Sequence, residues 1–472
     1  MLKLVVSWLV PTDHRRAAGV FLGCSLTMLV VGGAFAARIR IPEQPTHGPG
    51  EWDHGSRQQA HALILAHFAL IPLLFLVAGV SMTPWLTGRT GVVFPKLLAV
   101  NVPIHVAACA AVLVASLADA PESYRDVENR LSRPFALVQA SLLLAAINLL
   151  VTVLFRKNRH SPEHRSPVLA AAIATASVLV GVTWVVSAGS WMGAAIRILP
   201  NERTWNSWEN PWPEFERLVS LTAGVLASGV LLQAFLGTPE PGERSFRRWA
   251  CKWAGFSVNV VGVGYLVGVV YAGLDARWIH EPWQVVAEVP GLLLLTATFV
   301  LAAVVAVRRG LVRQPGLALL VFTGMVMVLM GQVIGAFAET DTVEELVQKY
   351  VGVRFRRENF LPAAAHARAA AILVTCLVVL LRRTGRSDRS ARSETLISIG
   401  GLMLIVGSTL AVTAECKAAL DGTTSSRWSA RHNPTDPLQL AITAAAVLAA
   451  VGWLVAAAGI IWRTRQTKGT RN

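Results

Sequence analysis

The sequence predicts an all-α integral membrane protein, a bundle of twelve transmembrane helices, and three observations carry that prediction. Hydrophobic residues make up 54% of the 472-residue chain and charged residues only 15%, where a soluble chain would carry roughly a quarter. Apolar runs recur along the whole length, each near the roughly 20 residues that cross a bilayer core. The basic residues, finally, gather in alternate connecting loops, as the positive-inside rule requires.

The runs, in order, are 18–37, 60–84, 95–118, 134–155, 167–196, 217–236, 253–273, 285–307, 316–338, 361–381, 395–414 and 438–462. Runs of this length are helices, because only a helix or a closed barrel satisfies its own backbone in lipid. The first contains Ala34-Phe35-Ala36, which looks like a small-residue cleavage site. Removing it would invert the charge logic of every later helix, so it is kept as a span. The second carries His61 and His67, with Pro72 eleven residues after His61, where a kink is expected. The third holds His105 and the fourth Asn148. The fifth and seventh are apolar, and the sixth contains no His, Glu or Tyr from Leu218 to Leu236. The eighth is uncharged from Leu292 to Val307, the tenth carries His366 and Arg368, and the ninth, eleventh and twelfth complete the bundle.

With the N-terminus inside, the inner segments hold 25 of the 43 Lys and Arg and six acids, Asp13, Glu163, Glu240, Glu243, Asp388 and Glu394. The outer loops hold 17 basic residues and the other 22 acids. The net charge of +15 is therefore an orientation signal rather than a nucleic-acid footprint. It places the chain in a cytoplasmic (inner) membrane, in contact with lipid, with both ends in the cytoplasm. The longest loops, 38–59, 119–133, 197–216, 339–360 and 415–437, then form a cap on the outer face. There is one membrane domain, and its loops show no repeat of the kind seen in transporters built from inverted halves. The five cysteines show no CxxC or metal spacing and read as small apolar residues.

Ionisable residues inside spans are costly and are functional candidates by default. They are His61, His67, His105, His366 and Arg368. His366 and Arg368 sit within Ala363-Ala364-Ala365-His366-Ala367-Arg368-Ala369-Ala370-Ala371. Two residues apart is about 200° on a helix, so they point to opposite faces. The alanines suit tight helix packing or a flat bulky ligand, and a histidine with an open side in apolar surroundings can hold haem iron. The plainer alternative is that these side chains hydrogen-bond neighbouring helices or snorkel to an interface.

The stretch His61-Ala62-Leu63, Ile71-Pro72, Thr83-Pro84-Trp85-Leu86-Thr87-Gly88 and Val93-Phe94-Pro95-Lys96 resembles the second helix and following loop of subunit I of the haem-copper oxidases, the cytochrome c oxidase family. That subunit also has about twelve helices with both ends inside. Arg40 falls where the family keeps an Arg after its first helix, and Ala146-Ile147-Asn148 resembles its fourth helix. Tyr271-Ala272-Gly273-Leu274-Asp275 resembles the turn after the seventh, and Arg431 falls where an Arg pair holds the haem propionates. The resemblance spans essentially the whole chain, but only 61–96 is specific by itself.

The departures bear on function. The family holds a copper ion with three His on helices six and seven. Here no His occurs between His164 and His280, and the family's paired His fall on Val267 and Gly268. A copper centre needs imidazole or sulfur donors, so the resemblance implies no copper and no oxygen reduction at a haem–copper pair. The family's tenth helix carries His-x-His, one residue for each of two haems. His366 matches the first and Arg368 the second, and Arg stays protonated and does not ligate iron. His61, the family's second ligand to the low-spin haem, thus loses its usual partner. At most one haem is implied, on His366 or His61, and loss of haem altogether stays open. Three functions remain: an electron-transfer or non-catalytic accessory of other respiratory subunits, working with a cytochrome c or quinone-linked protein; a gas-binding or gas-sensing haem protein with His366 as ligand; and a small-molecule transporter using Arg368.

Overall fold

The structure is a computed structural model that describes residues 13–39, 92–117, 124–154, 167–196, 211–236, 245–273, 282–308, 314–339, 349, 360–383, 391–420 and 437–469. Among them are eleven long α-helices and no strand: α1 His14–Ile39, α2 Pro95–Leu117, α3 Tyr124–Leu154, α4 Pro167–Ile196, α5 Pro211–Leu236, α6 Ser245–Gly273, α7 Pro282–Arg308, α8 Pro315–Glu339, α9 Leu361–Arg383, α10 Ala391–Leu420 and α11 Pro437–Gly469. Each coincides with one predicted apolar run, and the second run, 60–84, lies outside the described residues. Eight of the helices, α2, α3 and α6 to α11, are long and apolar enough to cross a membrane within the described residues.

Six helices open on proline: α2, α4, α5, α7, α8 and α11. Proline suits the first turn, where its missing N–H would have had no helical partner and its fixed φ is already helical. Pro103 and Pro290 lie inside α2 and α7, positions a membrane bundle tolerates when neighbours satisfy the freed carbonyls.

Several helices are longer than their apolar runs, which corrects the predicted loops. α3 begins at Tyr124, inside the predicted loop 119–133, and its first turns, Tyr124-Arg125-Asp126-Val127, are too polar for hydropathy to register. α10 continues to Leu420, so Glu415 and Lys417 belong to a helix and not to the loop 415–437.

Small residues let the backbones approach where packing is tightest. α10 and α11 meet along Gly400, Gly407, Gly452 and Gly459, and a Cβ at Gly452 would come within 2.7 Å of the Leu404 amide nitrogen and 2.8 Å of the Gly400 carbonyl. This is the small-residue contact that drives helix association where lipid offers no hydrophobic force. Polar ties join the helix ends. Arg247, buried at the start of α6, donates from Nε to the Leu236 carbonyl closing α5 at 2.8 Å. The Gly316 amide at the start of α8 donates to Glu394 of α10 at 2.9 Å. α9 packs against α8, α10 and α5, with α11 touching it from a further side.

Candidate functional site

α9 separates His366 from Arg368 as its helical geometry requires, and its neighbours give each a different environment. His366 turns toward α10, where its Nδ1 meets Oε1 of Glu415 at 2.5 Å. The two partners are unequally buried: the Glu415 side chain is 4% exposed and the imidazole 61%. Glu415 Oε2 is also buried and makes no hydrogen bond among the described residues. Ala363 and Ala367, fully buried, pack with Val412 of α10 and fix the distance between the two helices. On the imidazole's flank Ala365, Ala369 and Ala370 are only half-buried, so the surface beside the ring is flat.

A carboxylate at Nδ1 fixes which ring nitrogen carries the proton. In the tautomer with Glu415 accepting from Nδ1–H, the proton sits on Nδ1 and Nε2 is the unprotonated nitrogen. Histidines that ligate metals are almost always held this way, the other ring N–H donating to a carboxylate or carbonyl that orients the ring and raises its basicity. The donor set therefore fits a haem iron, and His366 is the residue that would hold it.

Arg368 occupies the other side. Its side chain runs along α8 over Gly331 and Gly335; a Cβ at Gly331 would lie 2.8 Å from Arg368 Cγ, and one at Gly335 would overlap the guanidinium. Arg368, Ala371 and Ile372 share a cavity of about 10 Å³ with Gly224 and Ala227 of α5 and Val328 and Gln332 of α8. That is room for a single water at most. The lining offers copper neither imidazole nor thiolate, and no group of three or more His, Cys, Asp or Glu that could hold a metal occurs among the described residues.

Histidine 105 is the buried residue the sequence suggested. Its Nδ1 lies 3.2 Å from Ser141 Oγ of α3 and its Nε2 3.5 Å from Cys109 Sγ, one turn on. Phe21 of α1 packs edge-on at 5.2 Å. Both ring nitrogens are thus engaged, and the residue ties three helices together. His61, His67, Arg40 and Arg431 lie outside the described residues.

Two separate pieces of the sequence resemblance meet in space. Phe94, of the Phe94-Pro95-Lys96 turn, donates its amide to Asn148 Oδ1 at 3.2 Å, and Asn148 Nδ2 returns a bond to the Phe94 carbonyl at 3.0 Å. Thr152 on the next turn accepts from the Val93 amide at 3.0 Å. The turn before α2 is held by α3 through these three bonds.

Sequence reasoning missed Glu415, counted with the loop acids because it falls one residue past the apolar run 395–414, and it missed the glycine slot on α8. The second had a signal, Gly331-x-x-x-Gly335, a small-xxx-small pattern. The first had only the isolated acid at a helix end.

Residues 16–209 match the family model of cytochrome c and quinol oxidase polypeptide I. The match takes in α1 to α4 and the Phe94–Asn148 contact, while His366 and Glu415 lie beyond it. No curated protein matches the chain.

Proposed function

We propose that this chain, whose residues 16–209 match the family model of cytochrome c and quinol oxidase polypeptide I, is a multi-pass haem-copper oxidase subunit I relative that carries electrons through one haem and does not reduce oxygen. The observation that carries the proposal is the His366–Glu415 pair on the face of α9 turned away from α5. The resemblance matches His366 to the first His of the family's His-x-His and Arg368 to the second, the ligand of the haem shared with the His of helix two. The helix presents Arg368 to α5, the sixth run, so here it is His366 that suits that shared haem. His61 is accordingly proposed as the second residue that would hold the iron, and Arg40 and Arg431 as those that would meet the propionates. Twelve spans, with both ends in the cytoplasm of an inner membrane, complete the proposal.

A haem bound there supplies one-electron redox chemistry. The chain's own residues hold and tune it. Glu415 keeps the Nδ1 proton in place and orients the ring; the alanines of α9 leave the ring face uncovered; Arg368, held in its glycine slot, keeps α8 and α9 in register. The missing imidazoles on the sixth and seventh runs remove the second metal, so the electrons leave for a partner: other respiratory subunits, with a cytochrome c or quinone-linked protein as the donor or acceptor.

The test is a reduced-minus-oxidised spectrum of the detergent-purified chain, with and without carbon monoxide. A reduced haem spectrum that carbon monoxide leaves unshifted, and that becomes sensitive to it in His61→Ala, supports the electron carrier. A wild-type spectrum that shifts with carbon monoxide would transfer support to the gas-binding reading, which the 61% exposure of the His366 side chain favours. Absence of any haem would refute both. Co-purification of a cytochrome-bearing or quinone-linked subunit is expected in mild detergent. The transport reading keeps Arg368 as its residue, and a transport defect specific to Arg368→Ala would support it.

A further inference from the structure

Four aromatic side chains of α6 form a continuous ladder on the surface of the bundle. Phe246 stacks on Trp249 with ring centroids 5.9 Å apart and 25° between planes, and Trp249 on Trp253 at 6.0 Å and 12°. Trp253 meets Phe256 at 5.6 Å and 38°. The spacing of three, four and three residues keeps the rings in one stripe. All four are exposed, Trp249 by 50%, while Ala250 and Ala254 on the opposite face are buried.

Interfacial tryptophans sit in belts at headgroup depth. This stripe instead runs ten residues along the helix, about 15 Å, or half of a hydrocarbon core of about 30 Å. Its shallow end is ringed by cations. The Arg308 guanidinium, at the end of α7, lies 5.8 Å from the Phe246 ring. Arg248 and Lys252, both exposed, are one helical turn apart and border the stripe on its other side. α6 itself contains no Asp or Glu to neutralise them.

We propose that this surface binds an anionic phospholipid, its phosphate at Arg308, Arg248 and Lys252 and one acyl chain laid along Trp249, Trp253 and Phe256. Cations beside a membrane surface select anionic headgroups, and stacked rings give a chain a flat, rigid apolar bed that loses little entropy on binding. Charge complementarity at the headgroup and a stripe one leaflet deep specify a lipid rather than a soluble anion, and neither depends on the haem proposal.

The experiment is native mass spectrometry of the full chain in detergent, delipidated and then titrated with dioleoylphosphatidylglycerol or dioleoylphosphatidylcholine. The first phosphatidylglycerol adduct is expected at about tenfold lower concentration than the first phosphatidylcholine adduct. Replacing all three cations, Arg248→Gln, Lys252→Gln and Arg308→Gln, should bring that ratio to about one. Trp249→Ala with Trp253→Ala should weaken both lipids about tenfold and alike. These side chains are exposed, so each variant keeps its fold, which circular dichroism checks. Equal affinity of the wild type for the two lipids would overturn the proposal, as would a preference that survives the loss of the cations. A dimer mass that the tryptophan pair abolishes would overturn it too, by assigning the ladder to a second copy.

Discussion

Deleting the imidazole of His366 should cost the protein more than neutralising Glu415, although the two make the same contact. Burial sets the order. The Glu415 side chain is 4% exposed and the His366 side chain 61%, with Nδ1 and Oε1 2.5 Å apart. His366→Ala leaves a carboxylate stranded inside the bundle, a loss of about 3–5 kcal/mol for a buried pair, and the open side of this pair argues for the lower figure. Glu415→Gln leaves an amide oxygen in the same place, still able to accept from Nδ1–H. Only the charge assistance is lost, about 1 kcal/mol. The double variant His366→Ala with Glu415→Leu puts apolar groups at both positions and should recover to within about 1 kcal/mol of wild type. Unfolding of haem-depleted protein in mixed detergent and dodecyl sulfate micelles, followed by far-ultraviolet circular dichroism, separates the three without a contribution from ligand binding. Equal losses for the two single variants, or a double variant no more stable than His366→Ala, would refute the reasoning.

Other perturbations probe the packing around the pair. Gly335→Ala should be the milder of the two slot substitutions, since its new Cβ meets the movable end of Arg368, whereas at Gly331 the Cβ would sit 2.8 Å from Arg368 Cγ and 3.2 Å from its backbone nitrogen; Gly331→Ala is expected to cost about 1–3 kcal/mol, and Arg368→Ala should relieve Gly335→Ala fully but Gly331→Ala only in part in the same unfolding assay. Gly407→Ala should destabilise by a similar or larger amount, because its Cβ would come within 2.7 Å of the Ala445 carbonyl of α11, a backbone atom that has no rotamer to escape by. His105→Leu should lose about 1–3 kcal/mol through the bonds to Ser141 and Cys109 and leave haem content unchanged; haem loss in that variant would show that the residue is more than a tie between helices.

The bundle was legible in the sequence because membrane helices advertise themselves as apolar length, and the opposition of His366 and Arg368 followed from 200° of helical rotation alone. The partners of those two residues were not legible. Glu415 lies 49 residues from His366 along the chain, and no local pattern joins an acid at the end of one helix to a histidine near the start of another. Its burial depends on α10 running on to Leu420, past the point where hydropathy falls. The start of α3 was lost for the same reason, since Tyr124-Arg125-Asp126 is helical without being apolar. Arg368 packs against α8, its Cγ over Gly331 and its guanidinium over Gly335, a setting made by the small residues of a neighbouring helix and so invisible in the local sequence of α9. The Phe94 and Asn148 motifs were each read alone, and only the fold shows that they bond to one another.

The most direct measurement is a pyridine haemochrome assay of haem per chain on the purified wild type and His366→Ala. One haem per wild-type chain, lost in His366→Ala and reduced about 10–100-fold in affinity in Glu415→Gln, is the predicted result. A wild-type chain without haem, or a His366→Ala variant that keeps its full complement, would contradict the assignment of His366 as the iron ligand.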